Sequence, residues 1–434
     1  MYNLRGGFLV RPLAIALALG CAGAVLSWLE ETFPVFSDWM PTVLFPSHAD
    51  PQVAQVILAG IAASIMTVVS IVFAILLMTL TLASMQFSPR IIVSFARDRV
   101  TQWTLGVFLG TFCYCMAALP TARSQPKPFA PVATVVGAML LALVCVGWLL
   151  FFIQHISHAI SVSHIVDRIA AETEAVIDQT MPWPRRDSVR AAPGPAPQYA
   201  WDAPVLSGAS GYIRFIDTGL LVSLAKAYRV KLLVVRRVGL FVPEGTPLLL
   251  AHKGDRLTPD AIHELRRAFD LGPSRTLQQD VEFGILQIVD IALKAISPAV
   301  NDPTTAIGCV DQLSRIMIRF ASREPPEGLL YDPPGVFRVG IPWSDFDRLL
   351  TSAFEQIRLY ARADAAVSLR LLRALGDIAA TTPFPSLRRT LGALGERVVE
   401  GCGQKLGEEE MNPLRRRWAA LENLTGSLSN GTQA

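Results

Sequence analysis

Between Val53 and Met85 the sequence has no Asp, Glu, Lys or Arg at all. A charge-free run of this length is not the helix of an ordinary soluble core. At 1.5 Å rise per residue it spans roughly 50 Å, against the ~30 Å hydrocarbon core of a bilayer. Charge is scarce overall, at 17% of residues, and nearly balanced at +3. The Lys and Arg are scattered without a long basic run, which argues against nucleic acid as a partner. The six cysteines form no CxxC pair and no Cys/His spacing for zinc. Cys21, Cys113, Cys115 and Cys145 lie in apolar runs and Cys309 and Cys402 in the later part, as small buried hydrophobes in a reducing compartment do. There is no GxSxG, P-loop, HExxH or dinucleotide fingerprint, so no local motif points to an enzyme or a cofactor. A site assembled from distant residues stays open.

Four apolar runs remain. Phe8 to Leu29 follows Arg5 and contains Arg11. It continues past Cys21, so it reads as an uncleaved membrane helix rather than a secretory or lipoprotein signal. The Val53–Met85 run is the second span, and its cytoplasmic end is expected to project beyond the bilayer. Gln102 to Leu119 is the third, opening on Trp103, and Pro131 to about Ile153 the fourth. The connection Glu30–Gln52 is acidic and holds Pro34, Pro41, Pro46 and Pro51. The connection Gln86–Gln102 is basic, with an apolar IIVSF core expected to form an interfacial helix. Arg5, Arg11, Arg90, Arg97, Arg99 and Arg168 fall on one side and only Arg123 and Lys127 on the other. The positive-inside rule then puts both termini in the cytoplasm.

Beyond the fourth run the helix is expected to continue into the cytosol through residues 156–180. A Pro/Ala-rich linker follows at 181–204. Residues 205–257 read as a small β-rich domain, with strands at Gly211–Ile216, Val230–Val235 and Pro247–Leu250. The stretch VGLFVPEGTPLLL resembles the turn-rich strands of biotinyl- and lipoyl-type barrels, without a lysine at a hairpin tip. From Thr258 to about residue 425 the pattern is helical, with a Pro-rich break from Gly328 to Gly340 and a disordered tail at 426–434. The fold class is thus a four-span α-helical membrane protein with a cytosolic α+β domain, a barrel-like part followed by a helical part.

Several residues are candidates for function. Ala63, Thr67, Ser70, Ala74, Thr81 and Ser84 recur at helical spacing on the second span, with Leu77 the one large residue among them. Such a face either packs closely on another helix or lines a hydroxyl-rich path in an oligomer. Asn301 and Asp302, in SPAVNDPTT, either cap a helix that Pro303 opens or present oxygens to a ligand or subunit. Arg90, Arg97 and Arg99 suit anchoring to anionic lipid. His155, His158 and His164 lack the geometry of a metal site, and no metal is expected.

The stretches LASMQFSPRIIVSFARDRVTQWTLGVFLGTFCYC, HAISVSHIVDRIAAETE, SGYIRFID and RTLQQDVEFGILQIVDIALKAISPAVNDPTTAIGCVDQL resemble the bacterial predicted membrane proteins catalogued as domain of unknown function 2254. The resemblance implies four membrane spans and a cytoplasmic C-terminal domain, and it brings no activity. Two functions are then expected: an oligomeric permeation protein gated by its cytosolic domain, or a membrane-anchored sensor or scaffold. The partners expected are the lipid bilayer and further copies of the chain, with no nucleic acid and no cofactor.

Overall fold

A computed structural model describes residues 10–33, 50–86, 99–124, 128–159, 161–181, 199–324, 328–333, 335–382 and 384–426. The predicted interfacial helix, most of the Pro/Ala linker and the tail lie outside these residues. The chain divides into two compact units, Met1–His164 and Ile165–Ala434.

The first unit is built on α1 (Val10–Thr32), α2 (Pro51–Gln86), α3 (Arg99–Ala118) and α4 (Val132–Ala159). Each is long and apolar enough to cross a membrane. Lipid offers no hydrophobic drive between helices, so close packing must come from small residues. It does, between α1 and α3. Ile15 lies at Gly106, Leu19 at Gly110, Gly20 at Cys113 and Gly23 at Tyr114. The numbers rise together, so the two helices run parallel. A Cβ on Gly23 would sit 2.7 Å from the Tyr114 carbonyl oxygen, a backbone atom that cannot swing aside. Gly23→Ala is therefore expected to lower the melting temperature in detergent, at an overpacking cost of about 1–3 kcal/mol. Gly60→Ala, where a Cβ meets nothing within 4 Å, is the control and should be neutral or slightly stabilising. Equal melting of the two variants would refute this account of the α1–α3 contact.

The expected run-on of the fourth span is corrected. Helix α4 ends at Ala159, and a separate helix, α5 (Val162–Thr180), begins at Val162. Apolar residues all round α4 give way to one apolar face on α5, made of Ile165, Val166, Ile169, Ala170, Thr173, Val176 and Ile177.

The second unit holds two open sheets. One has the order β1 (Ala203–Leu206), β5 (Pro247–His252), β3 (Lys231–Val234), β8 (Val336–Gly340), β7 (Leu329–Asp332). The other is β4 (Phe241–Val242), β2 (Gly211–Ile216), β6 (Phe269–Gly272). No barrel closes among the described residues. The barrel-like stretch does turn at Gly245, which has φ +75°, but the strands on either side, β4 and β5, join different sheets. The purely helical reading from Thr258 onward is also corrected. The chain forms β6 there, and its Pro-rich break is the hairpin β7–β8, whose β8 pairs in parallel with β3. Helices α6 (Thr218–Ala227) and α7 (Pro259–Arg267) lie against these strands. Leu221, Ala225 and Leu265 share a core with Leu232, Val234, Leu249 and Val339.

The remaining helices are α8 (Val281–Ile296), α9 (Pro303–Ala321), α10 (Phe346–Tyr360), α11 (Ala365–Thr381), α12 (Pro385–Gly403) and α13 (Glu408–Gly426). Helix α8 packs on both α9 and α10, and most of its residues are buried.

Candidate functional site

The small-residue face of α2 is the first site to place. Ala63, Thr67, Ser70, Ala74, Leu77 and Thr81 are all exposed. Among the described side chains of the same helix the buried ones are Pro51, Ala54, Leu58, Ala62, Ile65 and Val72. At 3.6 residues per turn the two sets are centred about 150° apart, nearly opposite. The hydroxyls bond back along the helix, Thr67 to the Ala63 carbonyl at 3.1 Å, Ser70 to Met66 at 2.9 Å and Thr81 to Leu77 at 2.8 Å. Ser84 lies near the end of α2, and its side chain is outside the described residues. So are Arg90 and Arg97, while Arg99 is the exposed first residue of α3.

A second site in the membrane unit carries no signal at helical spacing. Glu30, 1% exposed near the end of α1, accepts from the Ala133 N–H at 2.7 Å, the Thr134 N–H at 3.1 Å and the Thr134 hydroxyl at 3.0 Å. It therefore caps α4 from another helix, placing negative charge at a helix N-terminus whose free N–H groups need acceptors. Around it Ser27 bonds Thr121, Tyr114 donates to the Thr134 carbonyl at 3.1 Å, and Gln55 donates to the Ala122 carbonyl at 2.6 Å. This end of the bundle is a polar belt joining all four helices.

In the second unit, Asn301 takes a left-handed backbone, φ +49°, and is exposed. Asp302 caps α9, accepting from the Thr305 N–H at 3.1 Å and its hydroxyl at 2.5 Å. The Thr305 hydroxyl is the main reason its carboxyl is held below the usual range. Of the histidines, His155 stacks on Phe151, and the side chain of His158 is outside the described residues. Among the described residues no three His, Cys, Asp or Glu side chains gather as metal ligands do.

A denser cluster lies at the start of α8. Glu282, 5% exposed, accepts from Arg237 at 2.8 Å, Arg348 at 3.0 Å, the Ser352 hydroxyl at 3.1 Å and Arg275 at 3.2 Å. Asp280 caps α8 through the Phe283 N–H at 3.1 Å and takes Arg275 in a two-bonded fork at 2.7 and 2.9 Å. Burial pushes the Glu282 carboxyl up. Arg237, with Arg348 and Arg275, more than reverses this and holds it below its ordinary value. Gly239 beside the cluster has φ +88°, and a side chain there would run into the Asp280 carboxylate. A cleft of about 30 Å³ opens alongside, with Arg237, Val238, Asp280, Val281, Phe320 and Trp343 in its wall. The sequence analysis singled out none of these residues. Their one local sign is Glu282 itself, a charge on the apolar face that Ile285, Val289 and Ala292 continue.

A ladder of ion pairs ties α5 to α9. Arg315 bonds Asp167 at 2.8 Å and Glu174 at 2.6 Å. Arg319 holds Asp178 at 2.9 and 2.6 Å, and Arg323 reaches the same carboxylate. The hydrogen bond from Arg319 is the main cause that holds the Asp178 carboxyl low. These pairs are mostly exposed and each adds little. The apolar face of α5 contributes more, about 1.5–3 kcal/mol for each buried Ile or Val.

The model of the predicted membrane proteins known as domain of unknown function 2254 matches residues 5–377. The chain belongs to that family. The match takes in the four apolar helices, the Glu30 cap, the arginine–carboxylate cluster and the α5–α9 ladder. Helices α12 and α13 lie beyond it. An uncharacterized protein of Mycobacterium bovis is 33% identical over 416 residues, 94% of this chain and 78% of the relative. An uncharacterized protein of Mycobacterium tuberculosis matches with the same identity and coverage. No solved structure matches the chain.

Proposed function

We propose that this membrane protein assembles through α2 into a channel-like oligomer whose pathway is gated by the second unit. The observation that carries the reading is the placing of the Ala63, Thr67, Ser70, Ala74 and Thr81 face, opposite the side by which α2 joins its own bundle. The close-packing role that small residues serve in lipid is filled within the chain by the glycines of α1 and α3. That leaves the α2 face for another copy, or for water between copies. Its 36 residues span about 54 Å, long enough to extend a pathway past the bilayer. Gating would act along the chain: α4 ends at Ala159, and α5, which begins at Val162, is held against α9. In this reading both termini are cytoplasmic, and Arg90, Arg97 and Arg99 sit at the anionic membrane surface.

The test has two parts. Native mass spectrometry of the detergent-purified chain should give a closed assembly of three or more copies. Thr67→Trp and Ser70→Trp should abolish ion flux in proteoliposomes or break the assembly, while Ser64→Trp, at an exposed position about 100° round the helix from the centre of the face, should not. A monomer, or flux indifferent to all three changes, would overturn the reading.

A further inference from the structure

We draw no further inference here: the strongest candidate, the surface patch of the five-stranded sheet where Tyr199 stacks on Phe337 and the exposed Tyr331 meets that ring edge-on, carries none, because nothing among the described residues shows what covers it.

Discussion

Glu282→Ala is expected to cost the second unit about 3–5 kcal/mol, the usual result of removing one partner from a buried ion pair. The change strands Arg237 and leaves Arg275 and Arg348 with one acceptor fewer, where all three had converged on a single carboxylate. For a unit this large the loss corresponds to a melting temperature lower by roughly 10 °C. Glu282→Gln, which keeps the shape and one acceptor oxygen, should fall between. Acid should reproduce the effect. The folded carboxyl sits below its ordinary value, so its stabilisation is present above the unfolded value, near 4, and is lost as pH falls through the lower folded one. Thermal unfolding of the variants at pH 7, and of wild type from pH 7 to 3, measures both. A Glu282→Ala chain that melts with wild type would show that the arginines find other partners or open to water.

Glu30→Ala should be almost as damaging to the membrane unit. It removes the acceptor for two backbone N–H groups and a hydroxyl at the start of α4, in a site that is 1% exposed. At a site so buried the cost is about 2–5 kcal/mol, the range for losing charge-assisted bonds and leaving buried donors unmet. The neighbouring Glu31 provides the contrast. It pairs with Arg123 at the surface, and Glu31→Ala should change stability by no more than about 0.5 kcal/mol. Melting in detergent, with partial proteolysis at the start of α4, separates the two. Equal tolerance of both substitutions would mean that Glu30 is not what holds α4 to α1.

The difference between Glu30 and Glu31 shows what could be read in the sequence. The apolar helices are legible because lipid demands an uninterrupted composition. The Asp302 cap is legible because its partner, Thr305, is three residues away. Neither Glu30 nor Glu282 has that advantage. The partners of Glu30 are more than a hundred residues on, and three of the four of Glu282 lie 45 residues before it and 66 and 70 after. Only the charge out of place on an apolar helix face marks Glu282 in advance. The β7–β8 hairpin was hidden by its prolines: Pro333 sits in the turn, so LLYD and VFRVG remain free to pair. The α2 face was legible as a stripe, but not in its direction. Its orientation depends on which side of the helix α3 and α4 take up, and no residue of α2 alone decides that.

The α5–α9 ladder has a consequence in time. Arg315 and Asp167 are 148 positions apart. A ribosome adding 5–20 residues per second takes roughly 7–30 s to cover that interval. Throughout it the apolar face of Ile165, Ile169, Val176 and Ile177 has emerged while the arginines that pair with its helix have not, immediately after a segment bound for the membrane. The three acidic residues of the ladder, Asp167, Glu174 and Asp178, are on α5, the helix made first. If this unit is cytoplasmic, as proposed above, their repulsion from an anionic lipid surface would keep that apolar face off the bilayer until the arginines arrive.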